Sequence, residues 1–404
     1  MWPAAAALFF LALQSGDVSV GLKALDEKRY DAAVESFTKA IAADPKDYAA
    51  HFNLALAYSL LEKNAQAVAE YRQTLILKPD LYEAEINLGV VLLKQKQPAD
   101  ALPVLEKAAS QKPKESRPNF YYGEALLETG DAVKAESAFQ VALTTDPHSA
   151  AAEMGLAQAL LKENRLADAA PHFQKAADLD KNYRDGLLRL AQAYEDAHQP
   201  DQAIPLYRQF PDDPGAQEHL GQLLLAAGNS EEAVQRLESV VATSPTTANR
   251  VALADAYLMA KQPDKALPLI ESAIHATPDD YALVMTHGRI LRDQRKFDAA
   301  AHDFARAAQL QPQNWEGWSE LAGVLVMMNN YPGAIAALDQ LRALHAEKPG
   351  HLFLRAIVLD HEHELKPALA SYQQFLALSH GQFPDQEFQA RQRARIITDE
   401  LNRR

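Results

Sequence analysis

The sequence has 404 residues and a formal net charge of −14. That acidic balance repels a phosphate backbone and argues against nucleic acid as a partner. Cysteine is absent, which excludes disulfides, Cys-ligated zinc, thiol nucleophiles and a lipoprotein anchor together. Apolar residues make up 48% and glycine only 16 positions, a composition suited to a buried core built from helices.

The first segment, Met1–Leu13 (MWPAAAALFFLAL), carries no charged side chain. Its apolar run from Ala4 to Leu13 is far shorter than the roughly 20 residues needed to span a bilayer. It fits the apolar region of a secretory signal peptide, so export to a periplasmic or extracellular location is expected. A cytoplasmic protein, with this segment as an apolar cap, is the alternative. No integral membrane span is expected.

Beyond residue 13 the chain is periodic. Pro45, Pro79, Pro113 and Pro147 follow one another at intervals of 34, and Pro211, Pro245, Pro278 and Pro312 at 34, 33 and 34. With the closing proline at position 32 of a 34-residue frame, position 8 is Gly or Ala in all eleven units, from Gly21, Ala55 and Gly89 to Ala356. Position 20 is Ala in all eleven, from Ala33 and Ala67 to Ala368. Small residues let two helix backbones approach closely, so each unit is expected to be a helix pair crossing at these positions. Position 24 is bulky, as in Phe37, Tyr71, Phe139 and Phe173, and should fill the groove beside the crossing. A lone pair cannot bury such faces, so the units must stack.

The segment Tyr30–Ala40 and the tripeptides Asn53-Leu54-Ala55 and Asn87-Leu88-Gly89 carry a specific likeness. On them the chain resembles the tetratricopeptide repeat family. The resemblance implies an all-α, right-handed superhelical solenoid of about eleven repeats. Repeats one to six would occupy 14–211, repeats seven to eleven 212–382, and a capping helix 383–404. Two breaks stand out. Lys181 and Pro211 are 30 residues apart, four short of the period, and Pro211-Asp212-Asp213-Pro214 should end the sixth unit's second helix, expected over Asp201–Phe210. Two sub-stacks are expected near 205–215, and a second irregularity near 345–350. Pro98, Pro200, Pro263 and Pro332 suit the first turn of second helices. Pro103, Pro205 and Pro268 should kink those helices or delay their start.

The catalytic repertoire is empty. There is no Gly-rich phosphate loop and no Gly-x-Ser-x-Gly elbow. Asp212-Asp213 and Asp279-Asp280 read as helix caps. His361-Glu362-His363-Glu364 reads as a solvated turn, and Trp315 and Trp318 as packing residues. No cofactor and no metal are expected.

The resemblance also implies where partners bind: first helices line a concave groove. The family's asparagine ladder at position 6 is present only at Asn53 and Asn87, after which the position reads Tyr121, Gly155, Arg189 and His219. Of its basic carboxylate clamp only Arg117 is suitable. The candidate partner-binding strip is Asn53, Asn87, Phe120, Tyr121, Glu124, Gln158, Arg189 and Gln192. The expected function is that of a bacterial-type, non-catalytic scaffold or adaptor for protein partners in envelope assembly or secretion. The alternative is an accessory or substrate-recruiting subunit of a separate enzyme.

Overall fold

The structure, a computed structural model, describes residues 16–403. The segment Met1–Leu13, with the export reading attached to it, lies outside the described residues. Among these, every regular element is helical, and none is long and apolar enough to cross a membrane. The chain divides into two compact units, Met1–Gln209 and Phe210–Arg404.

The first unit holds six helix pairs: α1 (Gly16–Asp26) with α2 (Tyr30–Ala43), α3 (Tyr48–Leu60) with α4 (Asn64–Leu77), and α5 (Tyr82–Lys94) with α6 (Pro98–Gln111). They continue as α7 (Ser116–Thr129) with α8 (Ala132–Thr145), α9 (Ala150–Lys162) with α10 (Leu166–Leu179), and α11 (Gly186–Asp196) with α12 (Pro200–Tyr207). A 3-10 turn, Lys181–Tyr183, precedes α11.

The second unit holds five pairs: α13 (Pro214–Ala226) with α14 (Ser230–Thr243), α15 (Thr247–Met259) with α16 (Pro263–Ala276), and α17 (Tyr281–Asp293) with α18 (Phe297–Leu310). After α19 (Trp315–Met327) with α20 (Tyr331–Ala343) and α21 (Pro349–His361) with α22 (Leu365–Ser379), the single helix α23 (Pro384–Arg403) packs on α22.

The helix boundaries follow from local chemistry. Several first helices begin on a side-chain acceptor: Asp47 takes the backbone N–H of Ala49 and Ala50, and Asp213 that of Ala216. Asp280 likewise takes those of Ala282 and Leu283. Each satisfies a donor that the helix itself cannot. Every first helix then ends on a left-handed residue in the turn to its partner, such as Glu62 at φ 59° or Gly130 at φ 98°. At the first of these, Lys63 N donates to Tyr58 O at 2.9 Å and Glu62 N to Ser59 O at 3.2 Å. These two bonds reverse the chain within a few residues and satisfy carbonyls of the last turn.

The core lies where the small residues pointed. Ala33, Ala67, Ala101, Ala135, Ala169 and Ala203 are fully buried, as are Phe37, Phe139 and Phe173. The bulky position-24 residue packs against the small position-8 residue of its own repeat. A Cβ built on Gly21 would lie 2.6 Å from Phe37, and one on Gly89 would lie 2.3 Å from Leu105. The large side chain thus fills the space the glycine leaves. First helices of neighbouring repeats also touch one another, as α5 touches α7 and α7 touches α9. Second helices meet chiefly their own partner and the first helix that follows. The first helices are therefore the more closely spaced layer of each stack.

One expectation needs correction and a second is narrowed. The sixth unit's second helix is Pro200–Tyr207 rather than Asp201–Phe210; it stops before the Pro211–Pro214 turn, and its cap Arg208 keeps a helical backbone. Pro103, Pro205 and Pro268 lie inside helices that still begin at Pro98, Pro200 and Pro263, so none of the three delays its helix.

Candidate partner-binding surface

The eight candidate residues stand on five successive first helices, α3, α5, α7, α9 and α11. Burial sorts them into two groups. Asn53, Asn87 and Phe120 are only 1%, 6% and 7% exposed and form the floor. Tyr121, Glu124, Gln158 and Gln192 are half-buried, and Arg189 is exposed.

Each floor residue is held by its neighbours. The Asn53 amide donates to Ala49 O at 2.8 Å, while its Oδ1 is enclosed without a partner. Asn87 Oδ1 accepts from Arg117 Nη2 at 3.1 Å, and the Tyr71 hydroxyl faces the same amide. The Phe120 ring packs on Tyr121 edge to face at 5.1 Å and on Phe139 at 6.0 Å.

Arg117 joins the floor to the surface. It reaches Asn87 with one nitrogen and sits within hydrogen-bonding reach of the Tyr121 hydroxyl. Its Nε is buried without a partner. In the sequence Arg117 was the lone survivor of a clamp pattern; in the fold it is the cation around which the tyrosines and Asn87 gather. The frame puts Arg117 and Asn87 on neighbouring first helices; their contact is set by the stacking.

Glu124 lies one turn beyond Tyr121 on α7. Burial, reinforced by the Glu128 carboxylate, pushes its carboxyl up to about 7. Gln158 and Gln192 occupy the same register on α9 and α11. Gln192 donates to Asp196 at 3.0 Å and accepts from the Tyr207 hydroxyl at 3.4 Å. The strip therefore presents a tyrosine, amides and a carboxyl of raised proton affinity in a row, a set of groups suited to hydrogen-bonding a polypeptide.

The remaining polar candidates have structural partners. His361 ends α21 with its ring 4.4 Å from that of Tyr331, and His363 occupies the left-handed turn position. Among the described residues no group of three or more His, Cys, Asp or Glu side chains is placed to hold a metal. Trp315 carries Lys348 Nζ over its ring at 3.5 Å, and Trp318 Nε1 donates to Pro312 O at 3.0 Å. Both rings pack against the core formed by α17 to α20. Asp213 and Asp280 cap α13 and α17, whereas Asp279 pairs with Arg306 at 3.6 Å.

Comparison with known proteins agrees with this architecture. The tetratricopeptide repeat profile matches residues 24–87, 92–159, 126–170, 196–252 and 291–354, and a second profile of the same description matches 61–116. A human relative, protein O-mannosyl-transferase TMTC1, is 27% identical over 126 residues, or 30% of this chain. The match spans 14% of that protein's own length. Among solved structures, MamA from residue 41 to its end, from Desulfovibrio magneticus RS-1, is 24% identical at a TM-score of 0.39. That similarity covers 42% of this chain and 98% of the other. YrrB, described as a TPR protein with an unusual peptide-binding site, is 22% identical at a TM-score of 0.39, covering 41% of this chain and 85% of its own. With six helix pairs in one unit, five in the other and repeat matches in both, the chain belongs to the tetratricopeptide repeat family.

Proposed function

We propose that this protein is a non-catalytic scaffold or adaptor whose first unit binds a segment of a partner protein along its first helices. The observation that carries the reading is the row formed by Tyr121, Glu124, Gln158, Arg189 and Gln192. These residues recur at two frame positions on three consecutive first helices and are at least partly open to solvent. Phe120 packs against Tyr121 and Asn87 holds the Arg117 that reaches it, so these two contribute to a partner indirectly, and Asn53 is enclosed on α3. Aromatic rings beside adaptable amides are the side chains that protein interfaces favour. The apolar, uncharged Met1–Leu13 supports an exported protein acting in envelope assembly or secretion, and N-terminal sequencing of the mature chain tests that location.

The direct test is affinity capture of the intact protein, comparing wild type with a Tyr121→Ala, Arg189→Ala double variant. The reading expects one partner to be lost with the thermal midpoint unchanged. Identical capture by both proteins would overturn it. A second reading, recruitment of substrates to a separate enzyme, draws on the partial likeness to a mannosyl-transferase. It is favoured if the captured partner is itself an enzyme.

A further inference from the structure

The apolar core of the second unit is interrupted between α20 and α21. Leu321, Val324, Leu338 and Leu341 close the cluster built on α17 to α20. Leu352, Ala356, Tyr372 and Phe375 open a separate one that runs to Ile397 on α23. Half-buried Leu354 is the α21 side chain that packs back on the earlier cluster. In the first unit the comparable boundary falls inside a helix: α3 gives Phe52 and Ala55 to one cluster, and Ala50 and Leu54 to the other. The α20–α21 connection differs too. His345, at φ 54°, is the one left-handed residue in the described links between helix pairs of the second unit.

Polar groups hold this joint instead. Arg355 on α21 is only 4% exposed. It donates to Asp339 on α20 at 2.6 Å and to Glu347 in the connection at 3.2 Å, and its Nη2 is enclosed without a partner. Arg342 also reaches Glu347, at 3.1 Å. His351, in the first turn of α21, stands between two partners. Its Nδ1 accepts the backbone N–H of Lys348 at 3.0 Å, and its Nε2 lies 2.9 Å from the Ser319 hydroxyl on α19. A ring nitrogen that accepts carries no proton, so the imidazole is neutral and Nε2 donates to Ser319.

The surroundings oppose a second proton on that ring. Lys348 lies beside it, with Nζ over the Trp315 ring at 3.5 Å, and Arg355 follows one turn along α21. Glu347 is shared by Arg342 and Arg355, and Asp339 is taken by Arg355. On α19, Glu316 and Glu320 are paired with Arg289 and Arg292. Burial and then Lys348 push the His351 ring below the ordinary histidine value, against smaller pulls from the Ala346 carbonyl and Glu347. The joint is therefore complete above the unfolded value near 6.5 and weakens as pH falls through the lowered folded value.

We propose that α21, α22 and α23 form a separately opening terminal module, joined to α19 and α20 by a polar latch of His351 and Arg355 that acid releases. A proton on Nδ1 displaces the Lys348 N–H and adds charge among cations. The module then parts along the line where the two apolar clusters already divide.

Hydrogen exchange of the intact protein, read helix by helix as protection at about pH 8 and about pH 5, tests the proposal. At the lower pH, wild type should lose about tenfold in protection across α21–α23, the scale of one lost hydrogen bond, while α13–α16 hold. His351→Gln keeps an acceptor for Lys348 and a donor for Ser319 but does not titrate, so its protection should be equal at both pH values. Arg355→Met should lower protection in the same three helices at both. Wild-type protection unchanged by pH, or an acid loss that His351→Gln retains, would overturn the acid release. A loss shared in equal measure by α17–α20 would overturn the separate module.

Discussion

The Phe139 ring lies against Gly155 of the following repeat so closely that a Cβ there would stand 2.4 Å from it. The same ring would stand 2.9 Å from a Cβ at Gly123 in its own repeat. One aromatic side chain thus keys two first helices together, and both helices surrender a side chain to admit it. Gly155 also falls at the position where Asn53 and Asn87 stand in earlier repeats, so the interruption of the asparagine series there coincides with a packing requirement.

Gly155→Ala should therefore destabilise the first unit by about 1–3 kcal/mol, the usual cost of overpacking a filled core. Gly323, in the interior of α19, has nothing within 4 Å of its absent Cβ. Gly323→Ala should accordingly stabilise by about 0.5–1 kcal/mol, through helix propensity alone. Urea denaturation followed by circular dichroism separates the two. Equal and small effects at both sites would refute the close approach.

Glu124 gives the first unit a pH dependence. Its carboxyl titrates near 7 in the fold, raised from an ordinary 4.5 chiefly by burial. A raised folded value favours the protonated form. The corresponding stability is complete below about pH 4.5 and is lost as pH rises through about 7. Glu124→Gln should leave stability unchanged at pH 4 and raise it by roughly 3 kcal/mol at pH 8, as the size of the shift implies. Thermal melts at the two pH values check this; the same gain at both would point to a cause other than titration.

His287 works in the opposite chemical sense in the second unit. Its Nδ1 lies 2.6 Å from Asp303, and that hydrogen bond raises the ring's affinity for its proton against the opposing effect of burial. Glu271, at 3.8 Å from Nε2, adds to the rise. The contribution to stability is complete below the unfolded value near 6.5 and disappears as pH climbs through the raised folded value. Titrating the ring by NMR should place its midpoint above that of an unstructured histidine, and Asp303→Asn should bring it down. A midpoint unchanged by Asp303→Asn would remove the pair from the explanation.

The terminal helix is fastened by one charge pair. Arg393 on α23 donates to both oxygens of Asp360 on α21, each at 2.7 Å, and the Tyr372 hydroxyl donates to the same carboxylate at 3.2 Å. Asp360 is buried, whereas Arg393 is partly open to solvent. A double-mutant cycle with Arg393→Ala and Asp360→Ala should give a coupling of about 1–2 kcal/mol, below that of a fully buried pair. The loss should appear as faster amide exchange confined to α23 and its contacts, because stability in such stacks passes between nearest neighbours. Exchange accelerated across the whole second unit would contradict that locality.

The sequence by itself determined the helix pairs. A 34-residue recurrence of Gly or Ala at one position and Ala at another marks the crossing points, and closing prolines with Asp caps mark the ends. These are local signals, written in the residues that obey them. Membership of the floor or the open face was decided only by the tertiary structure. Asn53 and Tyr121 share a frame position, yet one is enclosed and the other half open. Arg117 acquires its place from Asn87, thirty residues earlier in the chain, and from Tyr121. A period can say which helix carries a side chain, but the company that side chain keeps is set by how the helices stack.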